Sequence, residues 1–115
     1  MSKQCIPVLT LTRRLSGTVA AHRFVTAAGA QAIADSNAIG VSRTAGVSGQ
    51  DIPVDVLGTT IVEAGGAISV GDTLESDSQG RAVPWATSGA RVGIALEAAS
   101  GAGEFIEILL IPNAA

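Results

Sequence analysis

The stretch GIALEAASGAGEFIEILL, Gly93 to Leu110, sets a glycine before a short apolar run, then a loop of small residues, then Glu107 inside a second apolar run. GVSRTAGVSGQDIPVDVLG, Gly40 to Gly58, follows the same plan. Each copy has a glycine, strand residues, a small-residue loop ending in an acid, and an apolar-acid-apolar triplet. With one position of slip, Val54, Asp55 and Val56 fall on Ile106, Glu107 and Ile108. Upstream, RFVTAAGAQAIA from Arg23 corresponds loosely to DTLESDSQGRAV from Asp72, each reading as a short hairpin. The repeat is too short for a solenoid array and predicts two related β-units wrapped into one barrel. Asp55 and Glu107 are then expected at equivalent outward positions, with their neighbours pointing inward.

Outward from these copies the chain consists of short strand-like runs broken by Gly, Ser, Asn or Asp, and no long 3.6-residue period appears. IPVDVLG is the clearest alternation, with Ile52, Val54 and Val56 on one face and Pro53 and Asp55 on the other. DSQG, Asp77 to Gly80, reads as a tight turn between TLES and RAVPW. The Ala-rich TAAGAQAIAD has helix propensity, but Gly29 interrupts it and a turn follows at once, so a helix is the minor reading there. The fold class is therefore mainly β: a single small β-barrel or sandwich of short strands, built from two related halves. Residues 1–23 read as an extended N-terminal arm with the first strand, and residues 24–115 as the barrel. Pro7 removes a backbone donor near the start of that strand, which suits an edge strand or a free arm.

With 115 residues the chain is the size of one domain. Hydrophobic residues are 47% but aromatics only 3%, so the core must be built from short aliphatic side chains and is shallow. Such a domain has modest stability alone, which favours help from neighbouring subunits. Charged residues are 15%, well below the usual quarter, which suggests that part of the surface is covered in the working state. Of the basic residues only Arg13 and Arg14 are adjacent, so no phosphate-tracking patch is present and nucleic acid is excluded as a partner. No apolar run is long enough to span a bilayer and no signal segment is evident, which points away from a membrane. Trp85, in AVPWATSG, is expected in the core rather than at a contact.

Chemistry-bearing residues are sparse. His22 is the single histidine and has no carboxylate near it in sequence, so it is expected to be solvated or capped rather than a catalytic base. Cys5 is the single cysteine and is expected as a small hydrophobe near a strand start. One His and one Cys cannot close a zinc site, and Asp72, Glu75 and Asp77 lack calcium-loop spacing, so turn chemistry accounts for them. The glycine loops do not match phosphate-binding patterns. GGAISVGDTL has the form of a hairpin that displays a lipoyl or biotinyl lysine, but the sole lysine is Lys3, far from that turn. No catalytic residue, cofactor or metal is therefore expected. A β-barrel carrier or small-ligand-binding module of a bacterial host is the alternative function, and a small hydrolase using His22 is a third.

The ordered series AGGAISVGDTL, DSQGRA and VGIALEAASGAG leading into a final apolar strand resembles the small bacteriophage capsid decoration, or cement, proteins. The resemblance is good from Ile52 to Ile111 and looser back to Phe24, with its most specific part at Val92 to Gly103. It implies a non-enzymatic virion protein, made in the host cytoplasm, that binds the outer surface of a phage head and braces neighbouring major capsid subunits. It also implies self-assembly, as a homotrimer rather than a homodimer. The arm is then the expected capsid contact, with Ile6, Pro7, Val8, Leu9 and Leu11 adding a strand to a neighbouring sheet edge and Arg13 and Arg14 behind them. An ordinary edge strand of the same barrel is the competing reading of that segment.

Overall fold

The computed structural model describes residues 5–86 and 89–111. Eight strands follow in chain order: β1 (Pro7–Arg14), β2 (Phe24–Val25), β3 (Gly40–Ser42), β4 (Asp51–Glu63), β5 (Thr73–Ser76), β6 (Ala82–Pro84), β7 (Gly93–Ala95) and β8 (Phe105–Leu110). They form one antiparallel sheet in the order β2-β3-β4-β8-β7-β5-β6, with β1 paired to β4 off that path. The two ends of the path meet where the Phe24 amide donates to the Gly80 carbonyl at 2.8 Å, and β6 is also tied to the end of β4, the Gly65 amide donating to the Ala82 carbonyl at 2.7 Å. The result is an all-β, nearly closed barrel.

The expected turns form for the expected reasons. Asp77 accepts from the amides of Gln79 and Arg81 at 2.8 and 2.9 Å, which closes DSQG as a side-chain-capped turn. No helix occurs among the described residues. The Ala-rich segment turns at Gly29, whose amide donates to the Thr26 carbonyl at 3.0 Å, and a one-residue bridge joins Val25 to Gln31.

Strand β4 is the spine. Ile52 and Val54 in its first half pack with Leu15, Val19 and Val25, while Val62 in its second half packs with Phe24, Leu74, Ile106 and Ile108. Phe24 is the one aromatic side chain in these clusters, so the interior is as thin as the composition requires. In β8 the residues alternate strictly, Ile106, Ile108 and Leu110 buried and Phe105 and Leu109 exposed.

Two expectations fail here. Asp55 is not outward: it is 0% exposed, while Glu107 is half-buried. The reason is that β1 lies over it. The β1–β4 register slips between Pro7 and Leu9 and again between Leu9 and Thr10, which leaves Val8 and Val56 without opposite partners and brings Thr10 across from Asp55. Trp85 is not in the core. It is half-buried just after β6, its indole N–H donates to the Gly89 carbonyl at 3.1 Å, and the Arg91 guanidinium lies 4.7 Å above its ring.

Glu75 on β5 is 6% exposed, and its Oε2 accepts from the Ala86 amide at 3.3 Å. Burial raises its pKa, a hydrogen bond with Asp35 and the negative charge of Asp35 raise it further, and the Ala86 amide opposes them. The folded protein thus keeps this proton above the pH at which the unfolded chain gives it up. The stability it contributes is complete below the unfolded value of 4.5 and is lost as pH rises through the folded one. Glu75→Gln, which cannot ionise, is expected to lose less stability than wild type as metal-free buffer is taken from about pH 5 to about pH 8. Thermal midpoints of the two proteins across that range check this; parallel curves would refute it.

Candidate interaction surface on the first strand

β1 pairs with β4 of its own chain along one edge and has no strand on the other among the described residues. The free edge has a definite chemistry. The Pro53 carbonyl accepts from the Arg43 amide on the β3 side, so Thr12, opposite Pro53, directs its own N–H and C=O away from β4. Val8 is 78% exposed, and Ile6, Leu9 and Leu11 are exposed as well. Pro7 is half-buried. Arg14 is exposed and pairs with Asp51 at 3.3 Å, whereas half-buried Arg13 reaches the Ala27 carbonyl at 2.7 Å through Nη2 and leaves its Nε buried without a partner. The strand thus brings all seven arm residues to one place, with the apolar ones largely uncovered and the two arginines turned to local partners.

No residue of β1 belongs to either apolar cluster. It is held by its backbone ladder and by polar links instead. The Ile6 amide donates to Thr59 Oγ1 at 2.9 Å, and the Thr59 amide donates to the Ile6 carbonyl at 3.1 Å. Beneath the strand, the Asp55 carboxylate accepts from Thr10 Oγ1 at 2.9 Å, from Thr60 Oγ1 at 2.9 Å, and from Arg43 Nε at 2.8 and 3.1 Å. Asp55 raises the pKa of Arg43, through its charge first and its hydrogen bond second. β1, β3-flanking Arg43 and both halves of β4 therefore converge on one buried charge.

Cys5 stands at the strand start as expected but in polar company. It is exposed, with Sγ 3.5 Å from Asp55 Oδ2 and 3.7 Å from Arg43 Nη2. His22 is half-buried at φ +61°; its amide donates to Ser42, its carbonyl accepts from Glu63, and its ring meets Phe105 edge-on at 5.4 Å. An open cleft of about 510 Å³ runs between His22, Cys5, Arg43, Asp55 and Thr60. Among the described residues no hydrogen bond links the His22 ring to Cys5 or Asp55. Lys3, the lysine that the carrier reading would need, lies outside the described residues.

Gly58 lets β1 approach β4. Its φ is +93°, and a Cβ there would lie 2.5 Å from the Ile6 carbonyl oxygen and 2.7 Å from the Val8 nitrogen. Gly58→Ala is expected to lift the start of β1, since the conformation alone costs about 1–3 kcal/mol for a non-glycine residue. Tryptic cleavage after Arg13 and Arg14 should then speed up about tenfold or more, with the barrel still folded by circular dichroism; unchanged cleavage would refute the role. Arg43→Met leaves the buried Asp55 with hydroxyl donors and the weak Cys5 thiol only. Its loss is expected to cost about 1.5–3 kcal/mol in urea unfolding, the range for a hydrogen bond to a charged group, and toward the lower end because Arg43 itself is exposed to solvent.

The comparisons with known proteins agree with this geometry. The barrel is similar to the N base of head fiber gp8.5 in bacteriophage phi29, with a TM-score of 0.72 and 24% identity over 90% of this chain and 93% of that one. That likeness establishes the fold. No curated protein matches the chain. The family model described as phage cement protein matches residues 3–110, nearly the whole sequence. The chain therefore belongs to the phage cement protein family, a family of non-enzymatic virion structural proteins.

Proposed function

We propose that this protein binds the outer surface of the phage head and stabilises it by bridging major capsid subunits, with β1 as the main contact. The observation that carries this reading is the combination on β1 of an open edge, uncovered apolar side chains and no share in the core. From Thr10 to Arg14 the register with β4 is regular, so this part offers a neighbouring strand an unbroken row of main-chain groups. Upstream, the bulge at Val8 interrupts the row and presents an apolar side chain instead. The movable unit is Ile6 to Arg14. Leu15 and Val19, which follow, are buried with Val25, Ile52 and Val54 and anchor it to the barrel.

The reading extends to two related halves. Val19 exchanges both main-chain hydrogen bonds with Gly46, and Ile68 does the same with Ala99. Leu15 is tied to Gly49 and Gln50 as Ala64 is to Gly103 and Glu104. Phe24 stands opposite Val41 as Thr73 stands opposite Ile94. On this spacing Asp55, opposite Val41, corresponds to Leu109, opposite Ile94, rather than to Glu107.

Assembly as a homotrimer would make the contacts multivalent, and linking weak contacts raises avidity roughly 10²–10⁴-fold where the geometry matches. Binding only the mature lattice stabilises it by about 2.7 kcal/mol per site at a hundredfold excess over Kd. Family membership displaces the carrier and hydrolase readings.

The test is to mix purified protein with expanded and unexpanded heads and sediment them. Wild type is expected to pellet with expanded heads alone. Thr12→Pro removes the outward N–H without touching the β1–β4 ladder, and is expected to abolish pelleting while the barrel stays folded. Full binding by that variant would reject the strand edge; no binding by wild type would reject the capsid reading.

A further inference from the structure

Glu75 on β5 lies beside Asp35 of the loop after β2, away from the arm. Glu75 is more than nine-tenths buried, and no N–H or O–H donor reaches its Oε1 among the described residues, so a proton shared with Asp35 is its hydrogen-bond link there. A Cβ built on Gly89, which sits at φ +91°, would lie 2.7 Å from Glu75 Oε1 and 2.8 Å from Asp35 Oδ1. Both oxygens therefore border the same small volume, and only glycine leaves it open. The surrounding backbone is fixed: the Asp35 amide donates to Ser76 at 3.2 Å, Ala90 donates to the Asp35 carbonyl at 3.4 Å, and Asp35 itself sits at φ +60°. A buried carboxylate oxygen aimed at a second carboxylate is expensive unless something positive lies between them.

We propose that Glu75 and Asp35 form a site for a hard divalent cation of the calcium class, which ties the loop after β2 to strand β5. Oxygen donors alone suit calcium, magnesium or manganese rather than zinc or copper. Two carboxylates are a small ligand set, so affinity falls in the weak range, about 10⁻⁴–10⁻³ M. The cation competes with the proton that the pair otherwise shares, so binding tightens as pH rises. The loop-spacing rule for calcium fails to find this site because one acid lies on a loop and the other on β5, and they meet only in the folded chain.

Trp85 supplies the readout. It is the sole tryptophan in a chain without tyrosine, and its indole is hydrogen-bonded to Gly89. Terbium, which takes calcium's oxygen ligands, is titrated into the protein at about pH 7.5 with excitation of Trp85. Saturable sensitised emission is expected, displaced by calcium at about millimolar concentration. Affinity should fall about tenfold or more in Glu75→Gln and in Asp35→Asn, the latter keeping a residue that tolerates positive φ. Calcium should raise the thermal midpoint of wild type and leave that of Glu75→Gln unchanged. Absent emission, or equal emission in wild type and both variants, overturns the proposal. So does a wild-type midpoint that ignores calcium while Glu75→Gln alone raises it, which would leave a shared proton as the bridge.

Discussion

Burial of the Asp55 carboxylate is the constraint around which the rest is arranged. A charge at 0% exposure is tolerated only when its lone pairs are filled, and here they are filled from several directions at once. Arg43 comes from the end of β3, Thr60 from the far half of β4, and Thr10 from β1. Each of these elements has other reasons to be near, but the carboxylate fixes how near and in what register. That is how a strand with no apolar share in the interior can still have one defined seat.

The physical division of labour follows. Short aliphatic side chains close the barrel and give it a modest reserve of stability, while polar groups position the surface strand. A strand held by polar links and a one-sided ladder sits at the low-stability end of the molecule, where binding segments are commonly found. A permanent scaffold gains from this arrangement, because its contact element can adjust without disturbing the packed interior.

Much of the fold was legible from punctuation. Glycine and Asp-Ser breaks marked every hairpin, and the alternation in Phe105–Leu110 gave its inner and outer faces correctly. The alternation in Ile52–Val56 gave the inner face but misled on Asp55, because period two says only that a side chain is opposite the core, not what covers the other face. Register slips at Val8 and Val56 decide that, and they leave no local sequence signal. Trp85 was misplaced for a related reason: its indole found a carbonyl and an arginine at the rim, where an aromatic ring with a polar edge is at ease. The arm residues were readable as an exposed extended run. Arg43 and Thr60 were not, since nothing in a linear string reports that a cation and a hydroxyl will converge on one acid.

β4 pairs with β1 through Asp51–Gly58 and with β8 through Thr59–Glu63, and at the junction the Thr59 amide donates to the Ile6 carbonyl while Thr59 stands opposite Leu109. Tension from a strand attached to β1 would therefore enter the molecule through its longest ladder and be shared between both apolar clusters. A load path of that kind resists tearing at any single hairpin, which would suit the proposed bracing role.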